Sequence, residues 1–216
     1  MSKRIGFYGS SVGQKILVAL TGLFLCSFLV VHLSGNLLLF VNDGGRAYNA
    51  FAEFMATNIL IRTLEVVLFV GLLVHIIWAL RVWLHNRGAR PERYTMVRAN
   101  ENSTLTSRIG FVTGSIVFIF LVVHLSSFWV PTRFGDVVNE YDMVRTAFAN
   151  PVYDIFYLVA LVLLAFHLRQ GFQSAFQTFG LRPFWHKPID VIAAIFWLII
   201  PIGFAAMPLF FLLRAR

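Results

Sequence analysis

The heptapeptide Phe28-Leu29-Val30-Val31-His32-Leu33-Ser34 occurs a second time, unchanged, as Phe120-Leu121-Val122-Val123-His124-Leu125-Ser126, at an offset of 92 residues. The same offset carries Thr21-Gly22 onto Thr113-Gly114 and His75 onto His167. An apolar chain can repeat Leu and Val through composition alone, but a histidine register held across four segments needs a structural cause. The chain reads as a duplicated two-helix unit that holds something between histidines.

Composition fixes the solvent. Hydrophobic residues make up 58% of the chain and charged residues 13%, with a mean hydropathy of +0.76. A soluble domain carries about 25% charged residues. Five apolar segments, near 16–41, 62–84, 109–131, 152–176 and 189–213, each approach the ~20 residues that cross a bilayer as a helix. Backbone polar groups in lipid must satisfy one another, which makes these segments helices. The fold expected is therefore an all-α integral membrane bundle of five transmembrane helices forming one membrane domain over 1–216. Lys3, Arg4 and Lys15 precede the first apolar run in the manner of a signal peptide, but the run is too long for one and lacks a small-residue cleavage site. Pro201 and Pro208 predict kinks in the fifth helix, which lies outside the repeat and is expected only to pack.

The net charge of +8 would suit nucleic acid if it were clustered, but its distribution follows membrane topology. Basic residues concentrate at the N-terminus and in the 81–108 and 169–188 connections, while seven of the ten acids lie toward the other side. This places the N-terminus in the cytoplasm and the C-terminus outside, against the weak opposing vote of Arg214 and Arg216. On the outer side, Asn42-Asp43-Gly44-Gly45 reads as a turn, followed by an interfacial helix bearing Tyr48, Phe51, Phe54 and Met55. A similar helix is expected within 132–150, with Phe134, Tyr141, Met143 and Phe148. Cys26 is the one cysteine, and no Cys-x-x-Cys-His exists for covalent haem attachment.

Ionisable groups within a span are costly and mark function. Members of a duplicated unit run in the same direction, so His32 and His124 share one depth and His75 and His167 another, with the levels roughly 10 Å apart. Two opposed imidazoles at each level suit a planar ligand held by bis-histidine coordination, namely haem b, twice. Zinc prefers three or four ligands, often including Cys, Asp or Glu, which the helix centres lack. The second ring N–H of each histidine needs an acceptor, and the carbonyl four residues earlier, of Phe28, Gly71, Phe120 or Leu163, is expected to serve. Eleven residues return to nearly the same helix face, so Thr21-Gly22 lies on the side of His32 near the inner level. There the glycine is expected to let a porphyrin approach, and Gly71 likewise, although glycine in membrane helices also serves packing alone. His85 and His186 fall outside the repeat and read as interfacial anchors. Arg81, Arg169 and Lys15 are candidate partners for haem propionates, or cations snorkelling to the interface.

Lys15-x-x-x-Ala19-Leu20-Thr21-Gly22-Leu23-Phe24-Leu25, followed by His32-Leu33-Ser34-Gly35-Asn36-Leu37, with histidines on the first four of five helices, resembles the di-haem cytochrome b membrane anchor of succinate:quinone oxidoreductases and quinol:fumarate reductases. The resemblance covers nearly the whole chain. It implies two non-covalent haems b, with His32 and His124 ligating the outer and His75 and His167 the inner. It further implies a quinone of the menaquinone type, an iron–sulfur subunit and an FAD-containing flavoprotein subunit on the cytoplasmic side, and residence in a bacterial cytoplasmic membrane. Electrons would pass between the iron–sulfur subunit and the quinone through the inner and then the outer haem. The anchor would carry no succinate chemistry, and the arginine-rich inner loops would border the iron–sulfur subunit. In some fumarate reductases of this family a glutamate implicated in proton transfer stands two residues before the fourth ligand. Ala165 occupies that position here, which puts such a path in doubt. A b-type subunit of a hydrogenase or formate dehydrogenase would share the same paired histidines and stays open as the alternative.

Overall fold

The structure is a computed structural model of the chain and describes residues 10–88 and 105–214, with side chains of the third span from residue 110. Five helices are long and apolar enough to cross a membrane: Ser11–Phe40, Ile59–Gly88, Gly110–Phe134, Pro151–Thr178 and Arg182–Arg214. No strand occurs among the described residues. Each runs past its expected apolar segment at one end or both, because helices continue into the interface where polar residues still satisfy the backbone.

The fourth span is central. It packs closely on the first, third and fifth, and the first packs also on the second and fifth. The first four spans thus form a four-sided arrangement in the order second, first, fourth, third. The side between the second and third is closed by side chains: Trp83 stacks on Phe111 at 3.9 Å, and Phe69 meets Trp129 at 4.9 Å. The spans on each diagonal, first with third and second with fourth, are not among the closely packed pairs. The fifth span lies outside this arrangement against the first and fourth. Leu39, Val144, Phe148, Tyr157, Met207 and Phe211 form one buried cluster, and Cys26, Leu168, Phe172, Ile189 and Ala193 another.

The two identical heptapeptides leave the membrane differently. After the first copy the helix tightens into a 3-10 turn, Leu37–Phe40, whereas the second widens into a π turn, Leu125–Trp129. Pro131 follows the π turn, and Pro201 follows a second one at Ile195–Ile199. A proline removes one ladder hydrogen bond and crowds the carbonyl a turn earlier, and the wider turn accommodates both effects. The fifth span also has a non-helical residue at Trp185, φ −126° and ψ 27°, shortly before Pro188. The proline-associated distortions therefore sit before Pro188 and Pro201, while Pro208 lies within helix.

Two short helices, Arg46–Thr57 and Glu140–Ala147, cover one end of the bundle; this end is called outer after the charge-based expectation. The Gly44-Gly45 turn has φ of +73° and +86°, and the Asp43 carboxylate accepts from the N–H groups of Gly45 and Ala47 at 2.9 and 2.8 Å. A side chain at Gly45 would also strike the Tyr141 ring. The outer helices are joined by Asn49, which donates to Asn139 and accepts from the Tyr141 N–H, both at 2.9 Å. Burial, followed by the negative charge of Glu140, pushes the Tyr48 phenol up to about 12.

Candidate functional site

The structure brings His32 to His124 and His75 to His167. Their ring centres are 5.8 Å and 6.4 Å apart, and the ring planes cross at 89° and 84°. A metal bonded to one nitrogen of each ring at ~2.0 Å would hold the ring centres roughly 6 Å apart. Each pair bridges a diagonal of the four-span arrangement, where backbones are not in close contact. No cluster of three or more His, Cys, Asp or Glu occurs among the described residues. The donor set, its spacing and its position across the diagonals fit a haem at each level.

At the inner level, Thr21 donates to the Leu17 carbonyl at 2.7 Å, which leaves its oxygen to accept from His75 Nδ1–H at 3.2 Å. With Nδ1 donating in that bond, Nε2 keeps the lone pair a metal needs. Beside it, a Cβ on Gly22 would lie 3.2 Å from His75 Cε1. The duplicate matches closely: a Cβ on Gly114 would lie 3.3 Å from His167 Cε1. The two glycines therefore admit the histidine of a neighbouring span, where a porphyrin edge was expected. Gly71 packs against Phe24 instead. Thr21, at the level of His75, is eleven residues from His32 along the first span. At ~1.5 Å per residue the two levels are thus about 16 Å apart, wider than the sequence-based figure, because the second span is longer than its apolar segment.

At the outer level, His124 Nδ1 lies 3.1 Å from the Tyr157 hydroxyl, and Tyr157 is hydrogen-bonded to Tyr153 at 3.0 Å. His32 stacks on Phe28 at 5.2 Å and meets Phe204 of the fifth span at 5.4 Å. The Asn36 amide nitrogen is 3.5 Å from His32 Nδ1 and donates to the His32 carbonyl at 2.8 Å. His75 thus meets the Thr21 hydroxyl and the backbone of Val18, and His124 meets the Tyr157 hydroxyl, all on neighbouring helices, and not the carbonyl of Gly71 or Phe120. The carbonyl a turn back on a ring's own helix is aligned with the axis and engaged by the backbone, whereas an imidazole reaching across a bundle meets the groups of the next helix.

The chain is 28% identical over 182 residues to the succinate dehydrogenase cytochrome b558 subunit of Bacillus subtilis (strain 168), and the match covers 84% of each chain. It is a homologue of a succinate dehydrogenase cytochrome b subunit. No protein-family model and no solved structure matches it. This multi-pass membrane chain is therefore similar to a cytochrome subunit over most of its length.

The remaining candidates lie apart from the pairs. His85, His186 and Lys15 are exposed. The guanidinium groups of Arg81 and Arg169 sit over Trp78 and Trp197, at 4.6 and 5.1 Å. Ala165 lines a cavity of about 280 Å³ between the fourth and fifth spans, together with Arg169 and Trp197. Residues 89–104, which include most of the arginine-rich inner connection, lie outside the described residues.

Sequence reasoning missed three features. Tyr157 contacts His124 but replaces Glu65 in the duplication register, so the offset conceals it. Glu65 itself accepts from Trp129 Nε1 at 2.6 Å and from both Nε and Nη2 of Arg133, at 3.1 and 2.6 Å. Asp154 is 1% exposed, and neither carboxylate oxygen has a hydrogen-bond partner among the described residues. The signal available for all three was polarity near the outer ends of apolar segments.

Proposed function

We propose that this chain is the cytochrome b membrane anchor of a succinate dehydrogenase or fumarate reductase, relaying electrons between an iron–sulfur subunit and a membrane quinone. The observation that carries this reading is the pair of imidazole pairs set across the two diagonals of a five-span bundle homologous to a cytochrome b subunit. His32 with His124 would hold the outer haem and His75 with His167 the inner. When bound, haem b supplies a one-electron carrier whose potential follows from its axial ligands and their surroundings.

The chain's own residues do the rest. Thr21 and Tyr157 fix ring orientation and tautomer, as hydrogen-bond partners of ligating histidines do. Phe28, Phe204, Phe120 and Phe128 surround the outer rings and exclude water from them. Arg81, Arg87 and Arg169 gather toward the inner end, held over tryptophan faces. They suit contact with propionates or with an iron–sulfur subunit, which would itself carry an FAD-containing flavoprotein on the cytoplasmic side. By the charge distribution the N-terminus is cytoplasmic, and by family likeness the membrane is the bacterial cytoplasmic membrane and the quinone a menaquinone.

The deciding experiment is a reduced-minus-oxidised spectrum of the purified full chain with pyridine haemochrome quantitation. Two haems b per chain are expected. One or none overturns the reading.

A further inference from the structure

The outer pair is chemically lopsided, and we infer that Tyr157 is a positioning residue for His124 that holds the outer haem at a lower midpoint potential than ligation by an unsupported imidazole would give. The inference rests on the proposed haem ligation and goes beyond it by assigning a function to a residue outside the ligand set.

Tyr157 is 5% exposed, its hydroxyl lies 3.1 Å from His124 Nδ1, and its other neighbour is the Tyr153 hydroxyl at 3.0 Å. Three polar groups must share their protons. If Nε2 of His124 binds the metal, Nδ1 carries the proton and donates to the Tyr157 oxygen. The Tyr157 oxygen also accepts from the Tyr153 hydroxyl, which is half-buried toward the outer end. The phenol oxygen is thus the shared acceptor between the two donors. An imidazole whose second N–H is donated is a more electron-rich ligand. Such a ligand favours ferric iron, which lowers the potential.

The opposite ring has no counterpart. In the duplication register Tyr157 corresponds to Glu65, 92 residues earlier, and the Glu65 carboxylate is engaged by Trp129 and Arg133. His32 instead has the face of Phe28 and an Asn36 amide nitrogen already committed to a carbonyl. The duplication therefore supplied two similar imidazoles, and a single divergence attached a phenol chain to one of them. A mere packing role would make the Tyr157 hydroxyl dispensable, since Phe148, Phe120 and Tyr153 already surround the ring.

The test is a potentiometric titration of the full chain in its membrane, for the unsubstituted protein, Tyr157→Phe and Tyr153→Phe, with haem quantified in each preparation. Tyr157→Phe is expected to keep two haems and to shift one of the two waves upward, leaving the other in place. Tyr153→Phe, which removes the competing donor from the Tyr157 oxygen and spares the direct bond, is expected to shift the same wave downward by a smaller amount. If Tyr157→Phe fails to hold haem, the shift in Tyr153→Phe decides. Two haems with both waves unmoved, or both waves moved alike, overturns the assignment to Tyr157 while leaving the ligation standing. Absence of haem from the unsubstituted chain overturns both.

Discussion

At the scale of single residues, the two threonines of the repeat make a controlled comparison. Thr21 and Thr113 are duplicates, but their hydroxyls are placed differently. Thr21 lies within hydrogen-bond distance of His75, whereas Thr113, 2% exposed, donates to the Gly110 carbonyl at 3.1 Å. Removing the acceptor of a ligating histidine typically costs 10–100-fold in metal affinity. Thr21→Val, which keeps shape and loses the acceptor, is expected to weaken retention of the inner haem by roughly that factor. Thr113→Val should cost only the loss of a local bond. Haem retained per chain during a competition with excess apo-myoglobin measures the difference; equal loss from both variants would show that the Thr21 bond has no such role. The histidines were legible in sequence because they are rare in apolar helices and recur at a fixed offset. The hydroxyls that serve them were not, since a threonine beside a packing glycine looks the same whether or not an imidazole faces it. Tyr157 was hidden more deeply, because finding it requires knowing where the duplication was broken.

At the scale of elements, the second and third spans are held at their outer ends by one polar cluster. Glu65 and Arg133 have side-chain exposures of 16% and 14% and are joined at 2.6 Å, and Trp129 shares the carboxylate. Breaking a buried ion pair strands the remaining charge and costs about 3–5 kcal/mol, less where water or headgroups reach it. Glu65→Gln is expected to lower the stability of the purified chain by about 2 kcal/mol. Glu65→Gln combined with Arg133→Met should recover part of that loss, since the buried cation is then gone and only the exposed Arg62 loses its partner. Thermal unfolding in a mild detergent reads both variants, and a double variant no better than the single would show that the charge pair is not the source. Neither residue was legible as a partner: they are 68 positions apart, and no periodicity links a carboxylate on one helix to the arginine ending another. The existence of the five spans was legible, because hydropathy and length decide it. The exits were not, since one heptapeptide ends in a 3-10 turn and its twin in a π turn, according to a proline that lies beyond the repeat.

At the scale of the whole molecule, the duplication and the membrane impose each other. A helix pair repeated in the same direction places equivalent histidines at equal depth, and the diagonals of the resulting four-span arrangement give each level its own opposed pair. The fifth span restores an odd number of crossings, so the chain's two ends fall on opposite sides. Which side is which rests on charge: the lysines and arginines of the N-terminus and the inner connections set it. Labelling can read it directly. Cys26 is buried at 7% exposure and is the one native thiol, so it should stay silent toward an impermeant maleimide. Val138, 93% exposed between the third and fourth spans, and Phe184, 80% exposed at the start of the fifth, mark the two ends. In intact cells Val138→Cys is expected to be labelled and Phe184→Cys to be labelled only after permeabilisation. The reverse result would place the inner haem level, and the arginines held over Trp78, Trp83 and Trp197, on the side away from the cytoplasm. An iron–sulfur subunit made in the cytoplasm would then face the outer level first, and the order of the two haems in the relay would be inverted.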